Sequence, residues 1–278
     1  MMRPQAQDIA VPPFPHGTVW IGPEPLPVER ICARGPLLVH FIDVAHLNSA
    51  RTLDYVRRWA ARYRDLGLTV VGVNSPRFPF TAEPDKLAAA LRRLEVDFPV
   101  ALDSAYEIWH DYGCGGWPSL FLWGTGGALS WFHFGEGEYQ ATEAAIQAEL
   151  SGIRGGNVEP PETLAPLRPS DEPQALVAPP SDEVFPGGSA SEPWRAADGD
   201  RRLEIDYAAG GAWATADGRG SLRISIDGGP ETTVAVEAPG AYELASHDYH
   251  ESHELSLGAT RGVSVYSVGF AAGVPPPG

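Results

Sequence analysis

Apolar runs alternate with helical periodicity between residues 37 and 150, and this alternation limits the fold more than any other feature of the sequence. Residues 37–42 form a continuous apolar run that is typical of a buried strand. Residues 48–66 carry apolar side chains three and four positions apart, which predicts a helix. Strand, helix, strand, helix, hairpin and helix are expected next, at residues 68–73, 83–94, 99–102, 105–112, 120–134 and 142–150. This order predicts an α/β domain whose sheet has a parallel centre and an antiparallel edge.

The composition changes near residue 155. Residues 155–188 are rich in Pro, Glu and Ser and contain too few apolar side chains to form a core, so we predict an extended linker. After the linker, short alternating strands are separated by turns rich in Gly and Asp. This pattern predicts an all-β sandwich of jelly-roll type. The expected domains are therefore 1–154 and 189–278.

The charge of the chain excludes several classes of partner. The sequence has 36 acidic and 20 basic residues, for a formal net charge of -16, and the imbalance is greater after the linker begins. Nucleic acids and anionic lipids bind clusters of Lys and Arg, so neither is expected as a partner. The acidic second domain instead favours a cation or a basic protein surface.

Several features bear on where the chain works. The longest apolar run is much shorter than the roughly 20 residues of a membrane-spanning helix, so no membrane association is expected. The first 15 residues lack the apolar core of a secretory signal. Two cysteines, Cys32 and Cys114, can form at most one disulfide, which is too few for a disulfide-rich exported domain. We therefore expect a cytoplasmic protein.

Short motifs follow the predicted elements in both domains. They are Arg51-Thr52-Leu53, Phe98-Pro99-Val100-Ala101-Leu102-Asp103, Trp117-Pro118 and His133-Phe134-Gly135-Glu136-Gly137, then Gly240-Ala241-Tyr242-Glu243-Leu244, His253-Glu254-Leu255 and Val265-Tyr266-Ser267-Val268-Gly269-Phe270. In this order they resemble TlpA-like thioredoxin-fold proteins of the DipZ type. In that family a thioredoxin-like (redoxin) domain precedes a β-sandwich similar to a carbohydrate-binding module. The resemblance implies the same two folds here, and a carbohydrate or protein ligand for the sandwich.

The chain departs from this family at the redox motif. Redox-active members carry Cys-x-x-Cys just before the first helix, and those positions fall on His46 and Ser49. Dithiol exchange needs one sulfur as the attacking thiolate and a second to resolve the mixed disulfide. The buried acid that such proteins hold six residues before the first cysteine is replaced by His40. We therefore predict a binding or scaffolding module that has lost dithiol chemistry.

A peptide-binding groove is the second expectation from the resemblance. Pro118 matches a proline that this family holds in the cis form opposite the first helix. A protein or peptide partner would then bind beside His46, Trp117 and Pro118. The alternative is that the cis bond only shapes the fold. Further candidate residues for the groove are His40, Asp43, Asn48 and Arg51.

An enzyme remains the alternative class of function. Cys114 lies four residues before Pro118, and a thiol near imidazoles can be activated as a thiolate. This would give a one-cysteine peroxidase or thiol transferase, with His46 and Ser49 as further candidate catalytic residues. Against it, single cysteines are more often small buried apolar residues. A metal site is a further alternative, but the four histidines of the first domain share no ligand spacing, so neither metal nor cofactor is expected.

The second domain holds a histidine cluster and several aromatic residues. His247, His250 and His253 recur every third residue, which is a possible metal-ligand pattern. If His253 begins a strand, the three side chains do not converge, so we expect exposed loop residues. The aromatic residues either stack on sugars or form the sandwich core, and they are Trp194, Trp213, Tyr242 and Tyr249.

Overall fold

The computed structural model describes residues 9–153, 161–196 and 201–277. The first residues of the predicted linker, 155–160, lie outside these ranges. The contacts between residues divide the chain into two compact units, which interleave along the sequence. Unit 1 comprises Met1–Asp43, Arg51–Pro76 and Glu95–Pro166, and unit 2 comprises Val44–Ala50, Arg77–Leu94 and Leu167–Gly278. The domain limits drawn from the sequence stay a prediction, because this grouping does not test which part folds independently.

Unit 1 contains a six-stranded mixed sheet. Its strands are β1 (Val19–Ile21), β2 (Leu37–Ile42), β3 (Thr69–Asn74), β4 (Val100–Leu102), β5 (Ser119–Trp123) and β6 (Leu129–Phe134). The strand order is β1-β4-β3-β2-β5-β6. The central strands β2, β3 and β4 are parallel, whereas β1, β5 and β6 pair antiparallel with their neighbours. The predicted α/β architecture with a parallel centre and an antiparallel edge is confirmed.

Five α-helices occur in the described residues. They are α1 (Val28–Cys32), α2 (Leu47–Tyr63), α3 (Pro84–Arg93), α4 (Glu107–Asp111) and α5 (Tyr139–Ile153). The sequence predicted α2 to α5 to within a few residues but missed α1 and β1. Both are too short to show a period, and each lies beside prolines that indicate a loop. Among the described helices, none has the length and apolar character needed to cross a membrane.

Strand β2 lies at the centre of unit 1, and all six of its residues are buried. Its odd-numbered residues, Leu37, Val39 and Phe41, pack with Trp109 of α4 and Phe121 of β5 in one apolar cluster. Such burial on both faces is typical of a strand in a parallel sheet and explains the unbroken apolar run in the sequence.

Unit 2 contains a five-stranded antiparallel sheet with the order β11-β7-β10-β8-β9. The strands are β7 (Leu203–Gly218), β8 (Gly220–Ile226), β9 (Thr232–Val236), β10 (Gly240–Ala259) and β11 (Val263–Ala271). The all-β character of this part is confirmed, while the jelly-roll sandwich stays a prediction. Strands β7 and β10, with 16 and 20 residues, are much longer than the short strands expected, because a shift of register lets β10 continue through residues 247–250, which were expected to be an exposed loop.

Helix α3 packs in unit 2. The Arg93 guanidinium lies 4.3 Å from the ring centroid of Tyr242, and its Nη2 donates a hydrogen bond to the Ala241 carbonyl at 3.1 Å. Nζ of Lys86, the chain's one lysine, lies 2.9 Å from a carboxylate oxygen of Asp217. A cation–π contact and two polar contacts therefore join this helix to strands β7 and β10.

Candidate functional site

The candidate site is the turn between β2 and α2, which we call the α2 turn (residues 43–49). It contains no cysteine. Asp43 and Ser49 are buried, whereas His46 and Asn48 are partly exposed. The amide of Ala50 donates a hydrogen bond to the His46 carbonyl at 3.0 Å, so the helical hydrogen bonds begin at His46.

Strands β7 and β11 cover the α2 turn. The Thr215 hydroxyl of β7 donates a hydrogen bond to the Ala45 carbonyl at 2.7 Å, and both residues are buried. The side chain of Leu47 lies against Gly269 of β11, where an added Cβ would be 3.5 Å from Leu47 Cδ2. Ala45 also packs in a small apolar cluster with Phe78 and Phe80, against Phe185, Ala190 and Tyr266. Other residues of unit 2 therefore pack against Ala45 and Leu47 of this turn.

An ion pair borders His46. Nη2 of Arg77 lies 2.6 Å from Oε2 of Glu183, and the guanidinium lies 5.4 Å from the Phe78 ring and 5.6 Å from the Phe185 ring. The pKa of His46 is lowered to about 4, mainly by burial and also by the positive charge of Arg77, while the carboxylate of Glu183 opposes both effects. His46 is therefore neutral at physiological pH, which makes it a weak base for activating a nucleophile.

His40 lies in the middle of β2 and is completely buried. Neither ring nitrogen has a hydrogen-bond partner among the described residues. Burial lowers the pKa of this imidazole to about 3. Its register neighbours are Gly72 on β3 and Leu120 on β5, so no charged residue stands beside it on the adjacent strands. His40 does not replace the proton-carrying function of a buried carboxylate at neutral pH.

Arg51 and the 133–137 motif form a structural contact. Nε of Arg51 donates to the carboxylate of Glu136, and both side chains are largely buried. At the following residue, the Thr52 hydroxyl lies 3.1 Å from the Tyr139 hydroxyl, and the Tyr139 ring stacks on Tyr55 with centroids 3.8 Å apart. These residues fasten α2 to α5, so the motif that carries part of the family resemblance has a packing role.

The peptide bond between Trp117 and Pro118 is cis. The indole Nε1 of Trp117 donates a hydrogen bond to the Ser75 carbonyl at 2.9 Å, and its ring packs against Trp109 with centroids 4.6 Å apart. The Pro118 carbonyl accepts a hydrogen bond from the amide of Gly135 at 2.8 Å. The indole of Trp117 is thus largely engaged within unit 1.

Cys114 is partly buried and is not in a disulfide. Burial raises the pKa of its thiol well above the usual range, the nearby Asp103 raises it further, and a hydrogen bond with Ser119 opposes this effect only in part. A raised pKa keeps the thiol protonated, whereas nucleophilic cysteines need a lowered one. Cys32 is buried, and its pKa is also raised by burial.

The predicted site residues fall in both units. His46, Asn48 and Ser49 belong to unit 2, whereas the remaining candidates belong to unit 1, namely His40, Asp43, Arg51, Cys114, Trp117 and Pro118. The sequence analysis missed Arg77 and Glu183, which neighbour His46. No local pattern could have found them, because the contact joins segments far apart in the sequence. In the part of the chain that the structure describes, no group of three or more His, Cys, Asp or Glu residues could hold a metal ion.

The histidines of unit 2 differ from expectation. The rings of His247 and His253 stack with centroids 3.7 Å apart, so the expectation that these side chains would not converge is wrong for this pair. His253 lies inside β10 rather than at its start, and the chain between the two histidines bulges out of the sheet. Among the aromatic candidates, Trp194 and Tyr242 are core residues and Tyr249 is 38% exposed.

Comparison with known proteins gives relatives for the chain. No protein-family model matches it. It is 26% identical over 286 aligned positions to "Protein DipZ" of Mycobacterium tuberculosis, an alignment that covers 90% of this chain and 41% of that protein. It is 29% identical over 133 aligned positions to "NHL repeat-containing protein 2" of Bos taurus, covering 47% of this chain and 18% of the relative. The chain therefore spans about two fifths of the length of DipZ and less than a fifth of the second relative.

Solved structures resemble about half of the chain. One is the solution structure of a thioredoxin-like protein in the oxidized form, with 22% identity, a TM-score of 0.46, and coverage of 50% of this chain and 95% of that one. Another is a thiol-disulfide isomerase from Corynebacterium glutamicum, with 16% identity, a TM-score of 0.44, and coverage of 50% and 96%.

Proposed function

We propose that this chain is a thioredoxin-like protein whose redox cysteines are replaced by His46 and Ser49, and that it serves as a binding or scaffolding module. The similarity to DipZ over 90% of the chain supports the family comparison on which this assignment rests. The α2 turn has no sulfur to attack a disulfide or to resolve a mixed disulfide.

The single observation that carries the proposal is the covering of the α2 turn. Thiol–disulfide exchange requires access of one sulfur to another, so a catalytic site in this fold must be open to its substrate. Here Thr215 binds the Ala45 carbonyl, and Leu47 lies against Gly269. A turn that is both free of thiols and packed against protein suits a structural role rather than catalysis.

The one-cysteine alternative finds little support around Cys114. Its pKa is raised, mainly by burial, so the thiolate fraction at neutral pH is very small. A cationic side chain or a helix N-terminus near the thiol would lower that pKa. The charged residue that acts on Cys114 is instead the acid Asp103, which raises the pKa.

The partner we propose is a protein with a basic surface. The chain carries a net charge of -16, and acidic residues outnumber basic ones most strongly in the C-terminal part. Opposite charge would speed association with such a partner and make binding depend on salt. A carbohydrate ligand would have to rely on Tyr249 and Trp213, since Trp194 and Tyr242 are core residues.

A reductase assay tests this function. We expect the purified chain to give no faster reduction of insulin disulfides by dithiothreitol than buffer does, and no faster decay of peroxide in the presence of a thiol. The Cys114→Ser variant serves as the matched control and should give the same rates. A rate above buffer that disappears in Cys114→Ser would replace the scaffold with a one-cysteine enzyme.

A further inference from the structure

Four polar side chains of unit 2 are joined to one another by hydrogen bonds and ring stacking, and none of them belongs to the α2 turn. The Tyr207 hydroxyl lies 2.7 Å from Nε2 of His247, whose ring stacks on His253 at 3.7 Å. Nδ1 of His253 lies 2.7 Å from a carboxylate oxygen of Asp227. The Tyr207 ring in turn stacks on Phe270 of β11 at 4.7 Å. We call Tyr207, Asp227, His247 and His253 the imidazole stack.

The imidazole stack fastens a bulge in β10. Ser246 pairs with Gly211 and Glu251 pairs with Ala209, so residues 247–250 stand opposite Gly210 alone. A backbone hydrogen bond of 2.7 Å from the His250 amide to the Val274 carbonyl anchors the bulge. The bulge is also held by the His247 side chain, which contacts His253 and Tyr207. Bulges of this kind redirect a side chain out of the regular ladder.

The hydrogen bond to Asp227 determines which ring nitrogen of His253 carries a hydrogen. An ionised Asp227 can only accept, so Nδ1 of His253 carries a hydrogen and donates it to Asp227. The further proton on His253 must therefore go to Nε2, which is buried and has no hydrogen-bond partner among the described residues. Because the two rings are in van der Waals contact, two protonated imidazoles would also repel each other strongly.

The titratable groups around the stack come from three elements. Strand β7 contributes the Tyr207 phenol, the turn after β8 contributes Asp227, and β10 contributes Asp248 and Glu251 beside the histidines. β11 contributes only the apolar ring of Phe270. Burial and the charge of His253 lower the pKa of His247, and the three carboxylates oppose them. The stack therefore resists a second positive charge, although acids lie nearby.

We propose that the imidazole stack is a proton-operated latch, which holds residues 247–250 against the sheet when at most one ring is charged and releases them when both rings are charged. Release breaks the hydrogen bond between His247 and the Tyr207 hydroxyl. Residues 247–250, which include the exposed Tyr249, can then adopt another conformation. The latch contains no residue of the α2 turn and does not depend on the function proposed for that turn.

Hydrogen exchange of the full chain tests the latch. Between about pH 7.5 and about pH 5, we expect the protection factor of amides in 247–252 to fall by about tenfold, after correction for the intrinsic rate. Amides of α2 and β2 should keep their protection relative to global unfolding. The variant His247→Gln keeps a hydrogen-bonding group for Tyr207 but cannot be charged, so its protection should not change with pH. His250→Gln lies in the same bulge outside the stack and should behave as the wild type.

Two results would overturn the latch. One is equal protection of the bulge at both pH values in the wild type, and the other is the same pH response in His247→Gln as in the wild type. If His247→Gln does not fold, His253→Gln supplies the second variant, because its amide can still donate to Asp227. It should also abolish the pH response, and retention of the response would contradict the latch equally.

Discussion

At the scale of single residues, two imidazoles of lowered pKa, His40 and His46, stand where redox-active relatives are expected to carry a buried acid and a cysteine. The sequence singled out His40 and His46 by their positions alone. It could not show that both are held neutral, because burial depends on packing from distant segments. His40 lacks any hydrogen-bond partner in the described residues, and such groups are rare in protein cores.

These imidazoles predict loss of stability in acid. Their folded pKa values, about 3 for His40 and about 4 for His46, lie below the unfolded value of 6.5, so the unfolded state binds protons first as pH falls. The stability they contribute is complete above about pH 6.5 and is lost as pH falls towards those folded values. For His40 alone, the free energy of unfolding should drop by about 2 kcal/mol between about pH 7.5 and about pH 5.

Urea denaturation at the two pH values measures this loss. His40→Leu should reduce the difference between the two pH values by about 2 kcal/mol. His110→Gln, at an exposed position of α4, is the control and should leave it unchanged. An unaltered difference in His40→Leu would mean that His40 is protonated in the folded state.

At the scale of elements, the sequence predicted the type of each helix and strand better than its length. Helices α2 to α5 and strands β2 to β6 follow from apolar periods that local residues set. β7 and β10 were underestimated, because a strand that crosses a register shift interrupts its own alternation. The contacts of the α2 turn and α3 with the C-terminal sheet were not predictable, since they join segments more than 100 residues apart.

Helix α3 provides a test of its packing in unit 2. Arg93→Ala removes the stacking on Tyr242 and the hydrogen bond to Ala241. We expect the free energy of unfolding to fall by about 2 kcal/mol. Arg92→Ala, one residue earlier on the exposed face, should change it by less than about 0.5 kcal/mol. Equal effects of the two variants in urea denaturation would show that Arg93 does not anchor the helix.

The hydrogen bond to the α2 turn provides a second test. Thr215→Val keeps the shape of the side chain but removes the donor to the Ala45 carbonyl. A loss of about 1 to 2 kcal/mol in the free energy of unfolding is expected, with faster hydrogen exchange in residues 45–50. Thr233→Val is the matched control at an exposed position of β9 and should have neither effect. Unchanged exchange at 45–50 in Thr215→Val would mean that this bond does not hold the turn.

At the scale of the whole molecule, the chain contains a six-stranded mixed sheet in unit 1 and a five-stranded antiparallel sheet in unit 2, and strands of the second sheet contact Ala45 and Leu47 within unit 2. The first fold was predictable from the apolar periodicity and the order of the motifs. The absence of the cysteine pair was predictable because those motifs place the two redox positions at His46 and Ser49. The covering was not, because nothing near His46 in the sequence points to Thr215 or Gly269. The proposed lack of dithiol activity therefore rests on two independent features, namely the absence of cysteine from residues 43–49 and the contacts that cover the α2 turn.

The measurement that separates these reasons is insulin-disulfide reduction by the double variant His46→Cys/Ser49→Cys, with wild type beside it. Ellman titration of the native and the unfolded variant counts how many introduced thiols are accessible. We predict thiols that react readily only after unfolding, and a reduction rate no higher than that of wild type. Rapid thiol reaction in the native state together with catalysed insulin reduction would contradict the closed turn and leave the loss of the cysteines as the only barrier to redox activity.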